Sequence, residues 1–444
     1  MGVRDLLEQL IRIDSANPFD CREIDPDEPA TWWVVGNEIR IAEFLERQLA
    51  AAGFSVRRQT AHTGPDGTPH CNLLAEKGTG RDALLYLGHM DTVTARPWLS
   101  LEEALTPRRE TREVRGRAVE VVRGLGANDM KAGLAATLSA LADFHPDGYR
   151  LKVAFVVDEE YYSIGGYVLS RSDFLDDVRA VVVPETGDGP NSAWGPRAIG
   201  LGRLGRCEYV LEVPGTGGHG AQAHDPAHIS AAAQCARLVE AIESLRREYR
   251  LPFEFFRGEV PDAAASRDIS GSVYVSRVEA GDGSLSIPSA GRVIVSFQLT
   301  PGVTVASCGQ LLAELVAAMY ADGRLAPVRV SGTPQPVRIA LRRRPTPFNE
   351  AFATPEDHPF TLLARQSVDA TVGFQAFNMG WSNADENLIA MARPGLPILN
   401  LSPLGLDCHR AGEWVGVESL RQLTEILRDV AVRFGPFLRN GPGS

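Results

Sequence analysis

Apolar residues at Leu6, Leu7, Leu10 and Ile11 recur at helical spacing among charges and predict a short amphipathic helix. A longer one is predicted from Val34 to Ala52, where Val35, Ile39, Ile41, Phe44, Leu45 and Leu49 repeat and Gly53 supplies a stop. The pattern then shortens. The runs Ala83–Leu87, Val153–Val157 and Ala180–Val183 are continuous and apolar, and helical stretches such as Lys131 to Phe144 separate them. Such alternation predicts an α/β fold with a mixed, mostly parallel sheet flanked by helices, since strands covered on both faces lose their polar positions.

After about Gly200 the period changes. Cys207 to Val213 and Ser272 to Val278 alternate as half-buried strands, helices are expected at Pro226–Tyr249 and Val305–Tyr320, and a closing strand is expected near Val328 to Val330. The order β, α, β, β, α, β is that of a ferredoxin-like α+β unit. The α/β pattern returns with Leu396–Leu401 and a helix over Val417–Phe434. The expected organisation is one domain formed by residues 1–200 and 336–444, interrupted by an inserted domain over 201–335.

With 444 residues, 44% hydrophobic and 23% charged, the chain has material for two cores. Its 45 Lys and Arg against 56 Asp and Glu give a net charge of −11 without any large basic block, which argues against a nucleic-acid partner. No apolar run approaches the ~20 residues of a membrane-spanning helix, and the first residues lack the order of a secretory signal. A cytoplasmic protein without membrane association is expected. Cys21, Cys71, Cys207, Cys235, Cys308 and Cys408 show no C-x-x-C spacing and read as reduced thiols.

Some motifs fail in context. Gly200-Leu-Gly202-Arg-Leu-Gly205 fits a dinucleotide-binding fingerprint in letters, but an alternating strand follows where a helix should begin, so the glycines read as a linker. Gly380-Trp-Ser382-Asn-Ala384 lacks the final glycine of a serine-hydrolase elbow. Arg342 to Arg344 reads as a solvated loop.

The ends of the short apolar runs are more informative, because open α/β sheets place their sites outside the carboxyl ends of strands. His89 ends one run, with Asp91 two residues on and able to orient its ring. Asp129 precedes the helix from Lys131, where it could equally be a helix cap. Glu159 and Glu160 end a second run, Glu185 ends a third, and His409 comes later. Imidazoles and carboxylates gathered at one sheet edge are what a carboxylate-bridged two-metal site requires.

The segments GHMDTV (88–93), GLGANDMKAG (124–133), DEEYYSIGG (158–166), PETG (184–187) and HRAGE (409–413) resemble, in order, the metal-site motifs of the dinuclear zinc amidohydrolases and exopeptidases. Acetylornithine deacetylase, succinyl-diaminopimelate desuccinylase, aminoacylase and glutamate carboxypeptidase belong to that family. The resemblance implies a catalytic domain with an inserted dimerisation lid and two divalent ions, Zn2+ with Co2+ or Mn2+ as alternatives. It implies that Asp129 bridges them, that His89 and Glu185 complete one, and that Glu160 and His409 complete the other. It makes Glu159 the general base, Asp91 the partner of His89, and His219, in Gly217-Gly218-His219-Gly220, a lid residue reaching the opposite subunit of a homodimer. The expected reaction is hydrolysis of an amide bond, N-acyl or peptide, in a small amino-acid-derived molecule.

The chain departs from the family at the lid. Positions that usually carry an Asn and an Arg for a substrate carboxylate hold Leu285 and Gln298 here, aligned on Pro288, with Arg277 and Arg292 nearby. A less charged group is expected there. The polar stretch Trp381 to Asn387 is a candidate lining of the specificity pocket. Two other readings remain open at this point: a carbamoyl or ureido hydrolase on the same scaffold, and a catalytically silent binding protein, whose signature would be a missing ligand or base.

Overall fold

The computed structural model describes residues 2–18, 36–185, 194–248, 252–254 and 268–440. Cys21, Val34, Val35, Tyr249 and the last two residues of the PETG segment lie outside these. Among the described residues the larger sheet has nine strands. Eight follow one another as Ser55–Thr63, Pro69–Gly78, Arg150–Val156, Ala83–His89, Val178–Val183, Ile398–Asn400, Ala198–Arg203 and Phe352–Ala353, and Ala376–Gly380 pairs beside Ala198–Arg203.

Strand Ala83–His89 runs parallel to both neighbours and is buried along its whole length. Its alternate residues serve different cores. Leu84 and Tyr86 join helices Val3–Arg12, Lys131–Leu141, Pro359–Thr371 and Val417–Asn440, while Ala83, Leu85 and Leu87 pack with Leu169 and Ile389 of helices Ile164–Ser170 and Asp385–Ala392. Helices on both faces explain the unbroken apolar runs. Because Arg150–Val156, Ala83–His89 and Val178–Val183 are mutually parallel, their carboxyl ends share one sheet edge. No helix among the described residues is long and apolar enough to cross a membrane.

The second sheet is antiparallel, in the order Ser272–Ala280, Ala290–Leu299, Gly205–Pro214, Arg338–Leu341. Helices Ala231–Glu248 and Val305–Ala321 build its core, including Leu238, Ile242, Leu312 and Met319. The fourth strand differs from expectation. Ser331 and Gly332 both take positive φ, 49° and 80°, and turn the chain straight back, so among the described residues Val328–Val330 pairs only with Thr333–Gln335. Arg338–Leu341 takes the place in the sheet instead, which carries that layer past residue 335.

The glycines of 200–205 are not a linker. Ala198–Arg203 and Gly205–Pro214 are strands of different sheets with only Leu204 between them. A Cβ at Gly202 would lie 2.0 Å from the Phe352 carbonyl oxygen, so glycine is needed for close backbone approach. The Arg342–Arg344 run is not simply solvated either. Arg342 Nη1 pairs with Glu208 Oε2 at 2.7 Å, and Arg344 Nη2 donates to Thr346 Oγ1 at 2.8 Å and to the Tyr162 carbonyl at 3.3 Å. Arg344 thereby ties this segment to the loop carrying Glu159 and Glu160.

On the antiparallel strands Ser55–Thr63 and Pro69–Gly78, His62 and His70 are cross-strand partners and their rings stack with centroids 4.5 Å apart. Burial, reinforced by His70, lowers the His62 pKa from 6.5 to about 4. The unfolded chain takes up this proton at higher pH than the native one, so stability should fall as pH drops from about 6.5 towards 4. A His62→Phe variant should lose Tm less steeply across that window. Equal slopes would remove His62 from the acid response.

Candidate active site

Parallel strands deliver His89, Glu159, Glu160 and Glu185 to one edge, and loops adjoining another sheet bring Asp129 and His409 to it. His89 is the last residue of its strand, and its Nδ1 lies 3.0 Å from the Asp91 carbonyl oxygen and 3.4 Å from Asp91 Oδ1. Asp91 is buried and also accepts from the backbone N–H groups of Glu159 and Glu160, at 3.2 Å each, and from Asn17 Nδ2 at 3.1 Å. One carboxylate thus orients the His89 ring and holds the neighbouring acidic loop.

Asp129 faces two imidazoles. Its Oδ1 is 3.1 Å from His89 Nε2 and its Oδ2 is 3.2 Å from His409 Nε2, which lies a further 3.2 Å from Glu160 Oε2. The capping alternative for Asp129 is not what the structure shows: helix Lys131–Leu141 is preceded by Met130 and has no side-chain cap. That helix packs so closely on the end of strand Val178–Val183 that a Cβ at Gly133 would lie 1.9 Å from the Pro184 carbonyl oxygen. Asp158 and His409 hold left-handed backbones, φ 62° and 63°, a costly conformation for residues with a Cβ and one that clusters at functional sites.

Among the described residues three sets of ligand atoms lie within 4.8 Å of one another: His89, Asp129 and Glu185; His89, Glu159 and Glu160; Asp129, Glu160 and His409. Burial raises the Glu159 carboxyl well above its usual range; Glu185 and Glu160 add to this and His89 opposes it. Burial likewise pushes Glu185 up to about 8 against the pull of Arg203. Glu160 Oε1 is buried with no hydrogen-bond partner. Crowded, partly orphaned carboxylates with two imidazoles fit divalent cations, and their hard oxygen and borderline nitrogen donors suit zinc and its neighbours.

His219 lies apart from these sets within its own chain. It is exposed, and its Nδ1 accepts from the Ala221 N–H at 3.2 Å. Leu285, on the loop between Ser272–Ala280 and Ala290–Leu299, accepts from Gly220 N at 3.0 Å through its carbonyl and is 91% exposed. Gln298 is turned across to the larger layer, where its Nε2 donates to the Trp381 carbonyl at 2.5 Å.

The stretch Trp381–Asn387 is polar for an internal reason. Asp385, Glu386 and Asn387 are buried at the start of their helix. Glu386 pairs with Arg203 and accepts from Asn400 Nδ2 at 2.8 Å, and Asn387 Oδ1 accepts from Ala384 N at 2.9 Å. Trp381 alone of these keeps a large exposed apolar surface. Arg203, 2% exposed, also reaches Glu185 Oε1 at 2.8 Å. Sequence reasoning missed Asn17, Arg203, Arg344 and Glu413. Only Glu413 carried a signal, its place in the HRAGE segment.

An α/β sheet whose strand ends supply His89, Glu159, Glu160 and Glu185, joined by Asp129 and His409 from two loops, has the donor set of a metal-dependent hydrolase. Residues 85–433 match Peptidase family M20/M25/M40, and the chain belongs to that family; it is a hydrolase acting on amide or peptide bonds. It is 26% identical over 424 residues to a succinyl-diaminopimelate desuccinylase from Sphingopyxis alaskensis, covering 93% of this chain and 99% of the relative. The fold is similar to that of a tripeptidase from Staphylococcus aureus, with TM-score 0.67, 16% identity and 98% of each chain covered. It is similar also to a dinuclear metal-binding peptidase of the M20 family from Bacillus subtilis, with TM-score 0.62, 12% identity and 98% of each chain covered.

Proposed function

We propose that this chain is a two-metal deacylase or dipeptidase in which Asp129 is shared by both ions, His89 and Glu185 complete one, and Glu160 and His409 the other. The observation that carries this is Asp129 itself, with one oxygen turned to His89 and the other to His409 at 3.1 and 3.2 Å. Two divalent ions there, zinc first, would supply Lewis acidity to an amide carbonyl and acidify a water. Glu159 would take a proton from the attacking water and return it to the departing amine, a role supported by its burial beside His89, Glu160 and Glu185, which raises its carboxyl above the usual range. Asp91 keeps His89 in one tautomer and holds Glu159 by its backbone.

The named relatives support a small amino-acid-derived substrate, N-acylated or peptidic. Leu285 and Gln298, in place of the family's Asn and Arg, support a neutral group where relatives hold a carboxylate. The free thiols of Cys71, Cys207, Cys235 and Cys308 support a reducing, cytoplasmic setting. The test is metal content per subunit together with hydrolysis of a panel of N-acyl amino acids, dipeptides and carbamoyl compounds, scored for amine, acid, ammonia and carbon dioxide. Two ions and released amine with acid are expected; ammonia with carbon dioxide would shift the reading to a carbamoyl hydrolase.

The exposed His219 supports a role in the opposite subunit of a homodimer, as an added oxyanion donor. His219→Ala should then lower turnover by roughly 10²–10³ without removing metal. Mixed with Glu159→Gln protein under subunit exchange, it should recover activity, because one hybrid site pairs an intact Glu159 with an intact His219. Heterodimers confirmed by mass with no recovery would place His219 in its own subunit.

A further inference from the structure

Glu413 lies four residues beyond His409 and is 1% exposed. Its carboxylate gathers three backbone donors from one loop: Oε2 accepts from Gly126 N at 2.9 Å, and Oε1 from Asn128 N and Asp129 N, both at 2.8 Å. Its own carbonyl accepts from Gly124 N at 3.1 Å. Asn128 Nδ2 adds a further tie to Cys408 Sγ at 3.1 Å. The strands adjoining the two loops are also paired, with Trp414 opposite Arg123. Loops 124–129 and 408–413 are therefore clasped both at their bases and along their length.

Three backbone donors from a four-residue stretch, Gly126 to Asp129, converge on one buried acceptor as in an anion-binding nest, and here the protein supplies the anion. The loop has no helix or sheet ladder to take these N–H groups, so its shape depends on the carboxylate. We infer that Glu413 is a positioning residue, which sets the carboxylate of Asp129 against His409 before any ion binds. This rests on Asp129 being the shared ligand. Glu413 belongs to none of the three ligand sets and acts only through the loop it holds. A glutamine in its place keeps the shape but turns an N–H2 group towards a backbone N–H, so one of the three bonds becomes a donor facing a donor.

The experiment titrates metal-free, full-length protein with Co2+, following visible absorption and heat. Glu413→Gln should weaken both ions by 10–100-fold, the usual scale for losing a partner of a ligand, with unchanged far-UV circular dichroism. His409→Ala should weaken one ion preferentially. Hydrogen exchange on the wild-type metal-free protein supplies a readout that needs no variant: the amides of Gly126, Asn128 and Asp129 should already be protected. A folded Glu413→Gln protein that binds both ions with wild-type affinity would overturn the inference. Free exchange of those amides before metal is added would do the same, and it decides the matter if the variant does not fold. Normal binding of both ions by Asp129→Asn would instead show that the metal-site reading itself is wrong.

Discussion

Glu159→Gln should retain both metal ions and lose at least ~10² in turnover. The substitution keeps the shape and removes the only proton-accepting function at that position, and loss of a positioned general base costs on this scale. Glu159 takes part in one ligand set with His89 and Glu160, yet its backbone is held separately by Asp91 at 3.2 Å, so the loop should keep its place without the charge. KM should move little, because the proton transfer belongs to the transition state rather than to binding. The measurement is turnover and metal content on the same preparation. Turnover near wild type with both ions present would mean that another group removes the proton.

Asp129→Asn should have the second large effect, and on a different quantity. Replacing one carboxylate oxygen by an amide nitrogen turns a donor towards an imidazole or an ion, and both halves of the site lose a charge. Both ions should therefore be lost or weakened together, with activity falling in proportion to occupancy. His409→Ala should be milder. Among the described residues His409 pairs with Asp129 and Glu160, its side chain is 54% exposed, and its removal leaves the His89, Asp129 and Glu185 set complete. Metal analysis after dialysis against a weak chelator checks the pair; equal retention in both variants would mean that Asp129 is not shared.

Much of this was legible along the chain. Runs such as Ala83–Leu87 announced strands covered on both faces, because burial on both sides removes the polar alternation, and the strand proved buried throughout. The residues that end those runs were visible as chemistry at strand ends. Where the reading slipped, the deciding contacts were non-local. Val328–Val330 has strand-like residues, but the positive φ at Ser331 and Gly332 sends it into a local hairpin. Gly202 looked like linker until the Phe352 backbone was seen against it. Of the stretch Trp381–Asn387, a candidate pocket lining by its polarity, Glu386 is committed to a buried network with Arg203 and Asn400, while Trp381 stays exposed.

Local sequence by itself determined which segments are strands and helices, and which chemical groups stand at their ends, because burial periodicity and strand termination are properties of neighbouring residues. Only the tertiary structure decided that Asp129, rather than capping its helix, turns one oxygen to each imidazole, and that a glutamate in the HRAGE segment holds the loop on which Asp129 sits. The physical reason is distance along the chain. His89 reaches Asp129 across 40 positions and His409 across 280, and contacts over such separations leave no periodic trace in either neighbourhood.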